Sequence, residues 1–139
     1  MRKRILAVDF GLKRTGLAMS GPLLIAINRL DTVPTSELLE AILELSKQYE
    51  IGTIVFGDTK KLDGSPNKQT SELVGFLRKL KIKLPQVKIE LEDESYTSIE
   101  AKQLMIDSGV KKKKRRTKAL VDQMSAVIIL KRYLESNQI

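Results

Sequence analysis

Four apolar residues in a row, Ile5–Val8, follow a basic start and run straight into a single acid, Asp9. A half-exposed strand alternates apolar and polar residues. An unbroken run closed by a Gly/Lys/Arg turn reads instead as a buried strand over Arg4–Phe10. A buried strand needs a sheet around it and cover over that sheet, so the order of the elements that follow decides the fold class.

Thr15–Met19 reads as the partner of a hairpin across the Gly11–Arg14 turn, and Leu23–Leu30 as a third strand behind Gly21-Pro22. Thr35 is a candidate cap for a helix whose apolar residues Leu38, Ile42, Leu45 and Tyr49 recur about once per turn. Gly52 then introduces the short strand T-I-V-F-G, and a polar loop leads to a second helix carrying Leu73, Phe76, Leu77 and Leu80. Pro85 ends that helix, and Val87–Leu91 alternates strictly, as a fifth strand does. Thr97 and Glu100 form a capping box for a third helix, with Gly109 at its end. A final helix runs from near Thr117 to about Glu135, and its A-V-I-I-L stretch, apolar on nearly every side, is expected to press into the sheet. A hairpin-rich start followed by β/α units predicts an α/β fold with a mixed sheet, its last strands parallel to its first. No linker or internal repeat divides the 139 residues, so 1–139 is expected to be a single domain.

Composition narrows the function. Lys and Arg number 25 against 17 Asp and Glu, a net charge of +8, which points to a polyanionic partner, nucleic acid before an anionic membrane. The chain has no Cys and no His. Disulfides, thiolate nucleophiles, zinc sites of the Cys/His type and histidine acid–base chemistry are therefore all excluded. The N-terminal apolar run is too short for a signal peptide and nothing reaches transmembrane length, so a cytoplasmic location and no membrane partner are expected.

Acids at three places stand where their surroundings ask for something else. Asp9 shares a strand face with Ile5 and Ala7. Asp93 and Glu94 arrive at the end of the fifth strand, and Asp122 lies inside the last helix in L-V-D-Q-M-S-A-V-I-I-L. Singly, each has an ordinary explanation: a turn former, a residue at the positive end of a helix, a solvent-facing helical acid. Together they fit the crevice beyond the carboxyl ends of the strands, if the first and fifth strands are parallel neighbours. Clustered carboxylates without histidine are the ligand set for Mg²⁺ or Mn²⁺. Such ions, in pairs about 4 Å apart, cleave phosphodiesters without a histidine base. A basic chain with such a site points to a nuclease.

The stretches V-D-F-G-L-K-R-T-G-L-A-M-S, I-V-F-G with D-G-S, D-E-S-Y-T-S-I-E-A and V-D-Q-M-S-A-V-I-I-L occur in this order over nearly the whole chain. With them the chain resembles the YqgF (RuvX) family of small bacterial proteins. The resemblance implies an RNase H-like fold, a five-stranded mixed sheet flanked by helices on both faces, and a catalytic, metal-binding triad at Asp9, Glu94 and Asp122. It implies a nuclease, assigned either to maturation of the 5′ end of 16S ribosomal RNA or to resolution of Holliday junctions. Two positions depart from the family pattern: Gly57-Asp58-Thr59 replaces a Gly-Leu-Pro, and Ser95 stands where an Arg follows the Asp-Glu pair. In Val87–Leu91 the apolar residues are odd-numbered, so a strand running straight on would put Asp93 on its buried side; Asp93 is the alternative ligand to Glu94.

The run Lys111, Lys112, Lys113, Lys114, Arg115 and Arg116, with Lys118 beyond it, lies between the helix after Glu94 and the helix of Asp122. A phosphate clamp is expected there, joined by Lys13 and Arg14 of the first turn, against the plainer reading of a solvated charge run. With three Phe, three Tyr and no Trp, a base-stacking platform of the RRM or OB type is not expected; recognition by shape and backbone is. The expected partner is thus precursor rRNA, or alternatively branched DNA, for a monomer or homodimer. Two further alternatives are an actin-like ATPase loop in D-F-G-L-K-R-T-G, which the chain length disfavours, and a non-catalytic RNA-binding domain.

Overall fold

In the computed structural model, residues 3–21, 27–58, 68–93 and 118–137 are described. Strand β1 (Arg4–Asp9) occupies the middle of a five-stranded sheet of order β3-β2-β1-β4-β5. Strands β2 (Arg14–Ser20) and β3 (Ile27–Pro34) continue from it by antiparallel pairing. On its other side β4 (Ile51–Asp58) and then β5 (Lys88–Asp93) are parallel to β1. The sheet is therefore mixed as the element order requires. Helices α1 (Leu38–Gln48), α2 (Lys68–Lys83) and α3 (Lys118–Ser136) cover it.

The continuous apolar run of β1 is explained by cover on both faces. Leu6, Val8 and Phe10 join Phe56 of β4, Leu38 and Ile42 of α1, and Leu73 and Leu80 of α2 in one core cluster. Ile5 and Ala7 join Ala18, Val55 and the α3 residues Ala126, Ile129, Leu130, Tyr133 and Leu134 in the other. The A-V-I-I-L stretch is pressed into the sheet as expected: Ala126, Ile128, Ile129 and Leu130 are all buried.

Several element ends differ from the sequence pattern for local reasons. β3 spans Ile27–Pro34 rather than ending at Leu30, because a bulge between Thr15 and Leu17 lets the pairing with β2 continue to Arg14 and Pro34. Thr35 does not cap α1: its hydroxyl donates to the Gly11 carbonyl at 2.7 Å, and a single 3₁₀ turn, Thr35–Glu37, precedes the helix. Tyr49 is not part of the apolar stripe of α1. It turns into an extended conformation past the last helical bond, and its ring lies 4.6 Å beneath the Arg4 guanidinium. β4 begins at Ile51, with a register shift beside Gly52, where a Cβ would stand 2.8 Å from the Cβ of Lys3. β5 runs on to Asp93, two residues past the alternating stretch. The helix predicted between Thr97 and Gly109 lies outside the described residues.

Candidate active site

Asp9 is the last residue of β1 and half-buried. Alternation along the strand puts it on the face of Ile5 and Ala7, the face covered by α3. The register carries this row across the sheet. Val8 stands opposite Phe56, and Gly57 opposite Glu92, so Asp9, Gly57 and Glu92 fall in one line across the carboxyl ends of three parallel strands. This is the crevice edge at which ligands bind in open α/β sheets.

The strand order corrects one expectation. β1 and β5 are not neighbours, since β4 lies between them. Acids on these two strands are thus about 9.6 Å apart at the backbone, two strand spacings. Gly57 occupies the intervening position and leaves the space between them without a side chain. A second correction concerns β5. Partners in register share a face, so Glu90, opposite Val55, and Glu92, opposite Gly57, stand on the Asp9 face. Ile89 packs into the opposite cluster with Leu6 and Phe56. The apolar, odd-numbered side of β5 is therefore the side away from Asp9.

The turn after Asp9 is tied down at the carbonyls of Phe10, Gly11 and Lys13. The Gln69 side-chain amide of α2 donates to the Phe10 carbonyl, and Thr35 Oγ1 donates to that of Gly11. The Thr35 backbone N–H donates to the Lys13 carbonyl at 2.9 Å. Thr35 and buried Thr15 hold their hydroxyls 2.9 Å apart. Gly11 is required here, because a Cβ would come within 2.2 Å of the Arg14 carbonyl oxygen. Lys13 and Arg14 are both exposed on this turn. Thr35 and Gln69 were not legible as site-supporting residues, since a hydrogen bond across 24 or 59 residues leaves no trace in local periodicity.

On the same face Tyr133 of α3 is buried over the amino-terminal part of β4 and β5. Burial pushes its phenol above the ordinary tyrosine range, Glu90 and Glu92 add to this, and Lys88 and a hydrogen bond from Thr53 oppose it. Lys88 pairs with Glu90 at 2.9 Å, which raises the pKa of the lysine. Ser125 Oγ, also on α3, is buried without a hydrogen-bond partner among the described residues.

Of the other predicted residues, Asp122 belongs to α3 and Asp93 ends β5 opposite Asp58, their side chains lying outside the described set. Lys118 is the first residue of α3, likewise described in its backbone alone. Glu94 and Lys111 through Arg116 lie outside the described residues. Among the described residues no three acids come together as a metal-holding group, and no helix is long and apolar enough to cross a membrane.

Relatives from Phocaeicola vulgatus and Bacteroides fragilis, each named as a pre-16S rRNA nuclease, are 44% and 43% identical. The matches cover 97% of this chain and of the first relative, and 98% of this chain and 99% of the second. Among solved structures, RuvC of T. thermophilus in complex with a Holliday junction substrate matches 99% of this chain and 96% of that one, with a TM-score of 0.61 at 14% identity. The fowlpox virus resolvase bound to Holliday junction DNA matches 98% and 99% of the two chains, with a TM-score of 0.60 at 13% identity. At such identities the likeness is one of fold, and the fold is RNase H-like. The profile of the RuvX Holliday junction resolvase family matches residues 3–136, and this chain is a member of that family.

Proposed function

We propose that the chain is a divalent-metal-dependent endonuclease that hydrolyses phosphodiesters in structured nucleic acid, its substrate the 5′ region of precursor 16S rRNA. The observation that carries the reading is the placement of Asp9: a carboxylate ending the central strand, on the crevice side of the sheet, in a row with Gly57 and Glu92. The relatives named as pre-16S rRNA nucleases support the substrate, and a net charge of +8 supports a polyanionic one. The reading carries with it a cytoplasmic location and a single domain over 1–139.

We assign the metal to Asp9, Glu94 and Asp122. The donor set fits a hard cation: oxygen ligands only, in a chain without His or Cys. Glu94 is preferred to Asp93 because the family resemblance of D-E-S-Y-T-S-I-E-A points to it, and because the even-numbered acids Glu90 and Glu92 of β5, not the odd-numbered Ile89, stand on the Asp9 face. Mg²⁺ or Mn²⁺ at this place supplies positive charge to the attacking water and to the leaving oxygen. The protein's own part is to hold Asp9 still, through the tied turn behind it, and to neutralise the substrate backbone with Lys13, Arg14, Lys111, Lys112, Lys113, Lys114, Arg115, Arg116 and Lys118.

The second reading, resolution of four-way DNA junctions, is favoured by the family's description and needs two active sites related by a two-fold axis. The two separate in one experiment. Purified protein with Mg²⁺ or Mn²⁺ is incubated with a precursor 16S RNA fragment and with a four-way junction, and its mass in solution is measured. Cleavage of the RNA by a monomer is the expected result; cleavage of the junction alone, by a dimer, would replace the ribosomal reading with the second.

A further inference from the structure

The Ser125 hydroxyl is a buried donor that no contact among the described residues employs. The residue is 2% exposed, and its Oγ has no hydrogen-bond partner there. A serine inside a helix commonly turns its hydroxyl back to the carbonyl four residues earlier. Here that carbonyl is Val121's, within α3, and the bond is not made. Leaving a hydroxyl dry and unpaired costs free energy that an alanine in the same place would not.

The place of this hydroxyl in α3 gives it meaning. Ala126, Ile129, Leu130 and Tyr133 form the stripe that packs on Ile5, Ala7, Ala18 and Val55 of the sheet. Position 122 lies four residues before Ala126 and seven before Ile129, which puts it on the same stripe. Ser125 is three residues beyond it, and residues so spaced on a helix have Cβ atoms about 5–6 Å apart. Tyr133 is hydrogen-bonded to Thr53, the register partner of Ile5. Between Tyr133 and Ser125 the helix rises about 12 Å, and between Ile5 and Asp9 β1 advances about 13 Å. The helix is thus long enough to carry Ser125 from its Tyr133 end to the level of Asp9.

We propose that Ser125 is a positioning residue for the Asp122 carboxylate, donating its hydroxyl hydrogen to the carboxylate oxygen that does not meet the cation. The inference rests on the assignment of the metal to Asp9, Glu94 and Asp122, and it names what holds one of those ligands. A carboxylate that binds metal through one oxygen keeps acceptor capacity on the other, and a serine hydroxyl supplies one donor. Metal-ligating carboxylates are hydrogen-bonded in turn, which fixes their orientation. Burial makes such a bond electrostatically stronger than it would be in water. Ser125 touches neither metal nor substrate; it acts through Asp122.

Ser125→Ala removes the donor and leaves the packing nearly whole. Mn²⁺ is titrated into the full chain without nucleic acid, free Mn²⁺ being read by electron paramagnetic resonance, and the melting temperature is taken without metal. Ser125→Ala is expected to bind Mn²⁺ about tenfold more weakly, the scale on which loss of a group supporting a metal ligand is felt. Its metal-free melting temperature is expected to hold or rise, because an unpaired hydroxyl has gone. In an Asp122→Ala background, itself weakened for Mn²⁺, the same substitution is expected to cost nothing more, since the serine has lost the group through which it acts. Wild-type Mn²⁺ affinity in Ser125→Ala overturns the inference. So does a full further loss on top of Asp122→Ala, the mark of a packing effect independent of the carboxylate. The parent assignment fails separately: Mn²⁺ binding untouched by both Asp9→Asn and Asp122→Ala would remove the metal site, and this inference with it.

Discussion

The two faces of the sheet are built from the same strands, yet they treat the end of β1 differently. On the α1/α2 face the apolar pattern runs to the last residue and beyond it, through Leu6, Val8 and Phe10 to Phe56 and Phe76, with large aromatic rings in contact. On the α3 face three alanines, Ala7 and Ala18 of the sheet and Ala126 of the helix, stand among the larger Ile5, Val55, Ile129 and Leu130, and the strand ends give way to Asp9, Gly57 and Glu92. One face is closed by bulk. The other lets a single helix lie close and leaves its carboxyl edge polar. The lesson is that β1 serves both at once, through nothing more than the two-residue alternation of a strand.

Substitutions can break this contrast, the largest effect on stability coming from the bulky face. Phe56→Ala removes a fully buried ring and is expected to cost about 3–5 kcal/mol in denaturant unfolding. On the α3 face the damage comes from addition rather than removal: Ala7→Leu is expected to cost about 1–3 kcal/mol by forcing α3 off the sheet. Thr35→Val strips the hydroxyl from the Gly11 carbonyl, an expected loss of about 1 kcal/mol. Its signature is faster amide exchange at the Lys13 turn, together with lower activity, because the support behind Asp9 loosens.

The smallest effect belongs to Tyr133. Its folded pKa is raised, so at neutral pH the phenol's contribution is fully present, and it is lost as pH rises through and above the ordinary tyrosine range. Tyr133→Phe should therefore leave neutral stability nearly unchanged and flatten the alkaline fall in melting temperature. An unchanged alkaline limb would mean that Tyr133 does not carry it.

Much of this contrast was legible in the sequence. The unbroken run Ile5–Val8 announced a strand covered on both faces, and Asp9 stood out because it interrupts an apolar face. What periodicity does not contain is strand order. β4 stands between β1 and β5, and the register through it puts Glu90 and Glu92, not the apolar Ile89, on the Asp9 side. Thr35 reads as a helix cap because capping is its commonest local use; its long-range bond to Gly11 is visible only once the chain has folded. The predicted partners of Asp9 fare less evenly. Asp122 belongs to a helix of the Asp9 face, whereas Glu94 and the Lys111–Arg116 run lie outside the described residues.

The central claim is that the carboxylate ending β1 carries a divalent-metal nuclease site, and Asp9→Asn addresses it most directly. The substitution keeps the shape and removes the charge. Wild type and variant are compared for cleavage of the precursor 16S RNA fragment across a Mg²⁺ and Mn²⁺ titration, with melting temperatures measured alongside. The account predicts a fall in rate of roughly a hundredfold or more, the scale on which loss of a charge-stabilising group at a reacting centre is felt, with the fold intact. Metal-dependent cleavage at an undiminished rate in Asp9→Asn would contradict it.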